Sequence, residues 1–132
     1  MNEKPETNYR AWLAKAEEDL LNIQNNLGAD RVPWGTVCFH AQQAGERVLK
    51  AFLVYHRMKP KKTHDLVILL TACTDIAPAL DDLEQDCENL SFYAVDTRYP
   101  GLHAPGEEEG RALTDAAHRI RRRVLELLPD AD

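Results

Sequence analysis

Two side chains suited to phosphate chemistry stand five positions apart in DTRYPGLH, residues 96–103: Arg98 and His103. A guanidinium is a planar fork of donors that matches phosphate oxygens. An imidazole, with an unperturbed pKa of ~6.5, gives or takes a proton near neutral pH. Together they could orient a phosphodiester, offset its charge and move a proton. Ribonucleic acid can be cleaved this way without a metal, because its 2′-hydroxyl serves as the internal nucleophile. The same stretch also reads as a plain helix exit. In that reading Arg98 bonds the last carbonyls, and Pro100 and Gly101 end the helix.

A second polar set is Gln42, Gln43, Glu46, Arg47 and Lys50. Gln43 and Arg47 lie at i and i+4, as do Glu46 and Lys50, the latter in the favourable acid-first order. These residues read either as a solvated helix face or as a face that meets a ligand or partner. KPKKTHD, residues 59–65, gathers three lysines beside His64 and Asp65 and reads as a solvated loop or a phosphate lure. Arg119, Arg121, Arg122 and Arg123 crowd the end of the last helix, where compensation of the helix dipole accounts for them. No P-loop, dinucleotide-binding glycine fingerprint or HExxH is present, and the single serine, Ser91, has no histidine near it in sequence.

The elements that must carry these residues are helical. Apolar residues recur at three and four along almost the whole chain, with no strand alternation. The spacing predicts a first helix from about Tyr9 to Leu27, capped by Thr7 or Asn8 and stopped at Gly28. A second, from about Pro33 to His56, has apolar residues on more than one stripe, Phe39, Leu49 and Leu53 among them, and should be central. Thr63 should cap a third helix, HDLVILLTACTDI. A fourth should run from near Pro78 toward Ala94, and a fifth from about Glu107 to Leu128 with Leu127 on its inner face. The expected fold is an all-α antiparallel bundle of about five helices.

The 132 residues fit one domain spanning 1–132. A net charge of −6 argues against coating duplex nucleic acid by bulk electrostatics, so any contact with nucleotide must use a local basic cluster. Three cysteines without a CxxC make a disulfide framework or zinc site improbable, and buried thiols are expected. No metal or cofactor is expected. No apolar run approaches the ~20 residues that cross a bilayer, and the first ten residues hold no signal-peptide core, so a cytoplasmic protein is expected.

CFHAQQAGERVLKAFL, then KTHDLVILL, then FYAVDTRYPG occur in an order and spacing that resembles the prokaryotic HEPN domain, a nucleotide-binding domain of higher eukaryotes and prokaryotes. The resemblance covers about residues 8 to 128. It implies a helical bundle that commonly forms homodimers, often paired with a small nucleotidyltransferase in toxin–antitoxin modules. Active members are metal-independent endoribonucleases whose signature is an arginine, four to six residues and a histidine in a cleft between protomers. Arg98, Tyr-Pro-Gly-Leu and His103 match that spacing. Active relatives carry a polar residue after the arginine, where this chain has Tyr99. Some toxin relatives carry a tyrosine two residues after the histidine, where this chain has Pro105. The chain looks closest to the branch that carries RYPG without established nuclease activity.

Two functions are thus expected ahead of a purely structural helical protein. The first is a nucleotide- or single-stranded-RNA-binding and interaction module, using Tyr99, Gln43, Glu46, Arg47 and Lys50. The second is a ribonuclease with Arg98 and His103 as catalytic residues.

Overall fold

The computed structural model describes residues 4–96 and 104–129. Among these residues all regular structure is helical: α1 (Tyr9–Leu27), α2 (Trp34–Tyr55), α3 (Leu66–Ile76), α4 (Glu84–Asp96) and α5 (Glu107–Leu125), with 3-10 turns at Pro5–Thr7 and Pro78–Leu83. The all-α reading of five helices holds. α2 packs against each of the other four helices, as its two apolar stripes require.

The helix ends follow local chemistry. The Asn8 side chain accepts from the Arg10 N–H at 3.0 Å and starts α1. Gly28 follows its last turn with φ −85°, so its left-handed freedom is not used there. Pro33 is the residue before α2 rather than its first. α2 ends in a Schellman arrangement: the Met58 N–H donates to the Leu53 carbonyl and the Arg57 N–H to the Val54 carbonyl. Arg57 therefore sits at φ 63°, where glycine is preferred. Left-handed backbone costs an L-residue about 1–2 kcal/mol.

Three boundaries differ from expectation. Asp65, not Thr63, caps α3: its carboxylate accepts from the N–H groups of Val67 and Ile68, at 2.9 and 3.4 Å. Thr63 serves one step earlier and accepts from the Asp65 N–H. The N–H of Leu66 donates to Ser91 Oγ at 2.8 Å, which ties the start of α3 to α4. The fourth helix begins as a 3-10 turn because Leu80 and Leu83, three apart, eclipse in that geometry and are buried together. α5 stops at Leu125, so Leu127 is 45% exposed while Leu128 turns back into the core.

The core runs along α2, with Val37, Ala41, Val48, Leu49 and Phe52 meeting Ile23, Leu69, Leu90 and Ile120. Leu49 and Leu53 form its second stripe as expected, but Phe39 is 47% exposed. It falls on the arc of α2 left open. The α5 arginines do more than offset a dipole. Arg119 forks onto Asp86 at 2.9 and 2.8 Å, Arg121 reaches Glu17, and Arg123 reaches Asp82. Three elements are thereby clipped to α5 from outside.

Cys38, Cys73 and Cys87 are buried free thiols. Burial, with Glu109 nearby, pushes the Cys38 thiol up to about 11, and burial pushes Cys73 up to about 12. Neither offers a thiolate at neutral pH.

Gly45 marks a tight crossing of four helices. A Cβ built there would lie 2.8 Å from Leu66 Cδ2 and 3.3 Å from both Ile120 Cδ1 and Leu90 Cδ1, three buried side chains from three helices. Overpacking of this kind costs roughly 1–3 kcal/mol, against up to ~1 kcal/mol gained from alanine's helix propensity. Gly45→Ala is therefore expected to lower the urea midpoint, and Gly45→Val to lower it further. An unchanged midpoint in Gly45→Val would show that the crossing is loose.

Candidate functional site

The polar residues of α2 divide into two lines. Gln42, Glu46 and Lys50 recur every four residues and so stack along one edge of the helix. All three are buried. This departs from a solvated face. α2 is enclosed by its neighbours, and this edge looks onto the connection leading into α3 rather than onto water.

Glu46 is the hub. Lys50 Nζ donates to Oε2 at 2.9 Å, and Gln42 Nε2 donates to Oε1 at 3.1 Å. His64 Nδ1 lies 2.9 Å from Oε1. An ionised carboxylate only accepts, so this ring nitrogen carries the proton. Gln42 also donates to the His64 backbone carbonyl at 3.1 Å, closing a ring of bonds. Burial works to raise the Glu46 pKa. The hydrogen bonds from Lys50, His64 and Gln42 outweigh it and hold the carboxyl below its ordinary value. Its pair with Lys50 forms as the i,i+4 spacing predicts.

The Gln43–Arg47 pair does not form. Arg47 Nη1 turns to Asp19 Oδ2 on α1 at 2.7 Å, and His40 Nδ1 meets Asp19 Oδ1 at 2.8 Å. Asp19 is only 3% exposed, whereas Arg47 and His40 are half-buried. His40, Gln43 and Arg47 recur at three and four, so they form a row on the outer side of α2, with Gln43 half-buried between the two anchored residues. One carboxylate thus aligns an imidazole and a guanidinium.

Asp19 and His40 were not among the residues expected to matter. A signal was present for Asp19: it lies three after Ala16 and four before Ile23, an acid on the apolar stripe of α1. A buried acid calls for a partner. For His40, the signal is its seven-residue spacing from Arg47, two turns along one face.

Lys50 reaches beyond the hub. Its ammonium lies 5.5 Å from the centroid of the Trp12 ring, and its side chain lines a cleft of about 660 Å³ at the C-terminal end of α2. Arg98 and His103, the expected catalytic pair, and Tyr99 beside them lie outside the described residues. Among the described residues no group of three or more His, Cys, Asp or Glu side chains could hold a metal ion, and no helix is long and apolar enough to cross a membrane.

The depressed Glu46 pKa predicts how stability depends on pH. A group held below its unfolded value stabilises the fold above that value, which is ~4.3 for glutamate, and the contribution disappears as pH falls through the folded value. Wild-type stability should therefore fall steeply on acidification below about pH 4.3. Glu46→Gln should be less stable at pH 7 and fall less steeply. Parallel urea midpoints for the two proteins from pH 6 to pH 3 would contradict this.

Similarity to known proteins agrees with the fold. Residues 9–127 match the model of the HEPN domain. The crystal structure of TT1696 from Thermus thermophilus superposes with a TM-score of 0.79 at 29% identity, covering 91% of this chain and 98% of that one. The crystal structure of ST0689, an archaeal HEPN homologue, superposes with a TM-score of 0.71 at 24% identity, over 91% and 97% of the two chains. No curated protein matches the sequence.

Proposed function

The chain belongs to the HEPN domain family, and on that premise we propose that it is a nucleotide- or single-stranded-RNA-binding and interaction module, a homodimer paired with a small nucleotidyltransferase. The observation that carries this reading is the Asp19 clamp. A nearly inaccessible carboxylate holds the half-buried Arg47 and His40 in one row with Gln43. Ordering these side chains in advance lowers the entropy lost on binding. A guanidinium held this way presents its free edge to a phosphate or to an acidic partner surface. Glu46 and Lys50 belong to this reading as supports, since their charges are spent on one another and on His64.

A second reading rests on sequence spacing alone: Arg98 and His103 match the family's nuclease signature. In that case Arg98 holds the scissile phosphate, His103 transfers the proton, and Tyr99 stacks on a base. The RYPG motif places the chain nearer the branch without established nuclease activity, so binding is the preferred function.

Calorimetric titration with adenine and guanine nucleotides and a short single-stranded RNA tests the first reading. Arg47→Ala should weaken binding about tenfold, the worth of one charge-assisted hydrogen bond. No heat and no shift in melting temperature at millimolar ligand would leave a purely structural helical protein. The nuclease reading expects cleavage of single-stranded RNA that survives chelator and is lost in both Arg98→Ala and His103→Ala. Equal behaviour of wild type and both variants would remove it.

A further inference from the structure

The cleft at the C-terminal end of α2 carries the opposite charge to the molecule as a whole. The chain sums to −6, yet Lys4, Lys50, Arg57, Lys59, Lys61 and Lys62 line this cavity beside one carboxylate, Glu6. Lys50 is spent on Glu46 and Glu6 offsets one more charge, which leaves four cations for an anion. These cations stand on separate segments: Lys4 precedes the first 3-10 turn, Arg57 follows α2, and three lysines lie on the connection to α3. A small anion meets one or two of them, whereas carboxylates strung along a chain meet several.

One wall is apolar. Trp12 is half-buried, and its indole Nε1 donates to the Glu6 carbonyl at 3.0 Å. The single polar atom of the ring is thus used, and what the ring offers the cleft is carbon surface. Val54 and the exposed Met58 continue that wall. A methionine is unbranched and polarisable, so it adapts to apolar side chains of different shape.

The backbone supplies an independent observation. Arg57 occupies the left-handed position of the Schellman turn, where a glycine would sit without strain. Strain retained against an easy alternative points to use of the side chain, and this side chain lines the cleft. Its planar fork of donors matches a carboxylate with two parallel hydrogen bonds.

We propose that this cleft docks a short acidic segment of a partner protein, with one large apolar side chain against Trp12, Val54 and Met58 and the flanking carboxylates on Arg57 and the lysines. The occupant differs in class from a nucleotide and sits apart from the α2 row, so the two readings stand or fall separately. Charge complementarity argues for an acidic occupant: the acidic remainder of the molecule repels it everywhere else and steers it to this one positive cavity. An apolar anchor in a pocket with charged flanks is the usual division between affinity and register. A bilayer is met by apolar residues that project from a helix face, whereas Trp12 and Val54 are half-buried and line a cavity.

The test is fluorescence anisotropy of two labelled peptides titrated with the full chain at low and high salt, alongside thermal melting. One peptide alternates aspartate and glutamate around a central leucine; the other has serine in place of the leucine. The leucine peptide should bind about tenfold more tightly than the serine peptide, and both affinities should fall as salt rises. Arg57→Gly should raise the melting temperature, weaken peptide binding about tenfold and leave nucleotide affinity unchanged. Met58→Ser should remove most of the preference for leucine. Lys61→Ala combined with Lys62→Ala should weaken both peptides and flatten the salt dependence. Equal affinity for the two peptides would overturn the proposal, as would a higher melting temperature in Arg57→Gly with unchanged peptide affinity. Displacement of the leucine peptide by equimolar ATP or inorganic tripolyphosphate would also overturn it, by making the cleft a site for any polyanion. Displacement by vesicles containing phosphatidylglycerol would overturn it in favour of a membrane. Peptide binding without nucleotide binding would support the cleft and sink the α2 row alone; the reverse would sink the cleft alone.

Discussion

A carboxylate inside a helical core must have its charge met, and Glu46 has it met three times. Lys50, Gln42 and His64 all bond to it. The arrangement fixes more than one side chain. Gln42 also bonds the His64 carbonyl, so the connection after α2 is held at one spacing from that helix. Asp65, the next residue, then caps α3. Lys50, pinned at the other end, sets the position of a cation beside Trp12. Removing one partner from such a buried cluster is far more damaging than its net contribution to stability suggests, because the rest is left uncompensated.

The Asp19 cluster repeats the principle on the other line of α2. Here a buried acid on α1 holds two half-exposed basic groups. In both clusters a buried carboxylate orients the nitrogen donors around it. The pairs made by the α5 arginines are different: those of Arg121 and Arg123 lie at the surface and add little individually, while Arg119 forks onto the half-buried Asp86. They clip α5 to α1, α4 and the 3-10 turn without enclosing a polar site.

Much of the architecture was legible because helical periodicity is a local property. Leu13, Ala16, Leu20 and Ile23 announce one buried face of α1, and the two apolar stripes of α2 announce its central place. The Glu46–Lys50 pair was legible for the same reason. Its burial was not, because an i,i+4 pair reads identically in water and in a core. The partners of Arg47 and Arg119 were not legible either. Asp19 is 28 positions from Arg47 and Asp86 is 33 from Arg119, and nothing local chooses between such distant acids and a neighbour such as Gln43. The cap of α3 moved from Thr63 to Asp65 because two good capping residues stood two apart, and tertiary contact of the Leu66 N–H with Ser91 favoured the later start.

The sequence by itself determined the helices, their approximate ends, the central rank of α2 and the family resemblance, since each follows from residue type and spacing within one turn or a few. Tertiary structure decided which polar groups are buried, whom they bond and where the cations collect. KPKK is an unremarkable basic loop until folding brings the start of the chain, Trp12 and the end of α2 around it. Charge and burial are properties of what surrounds a side chain, and that is settled only when distant segments meet.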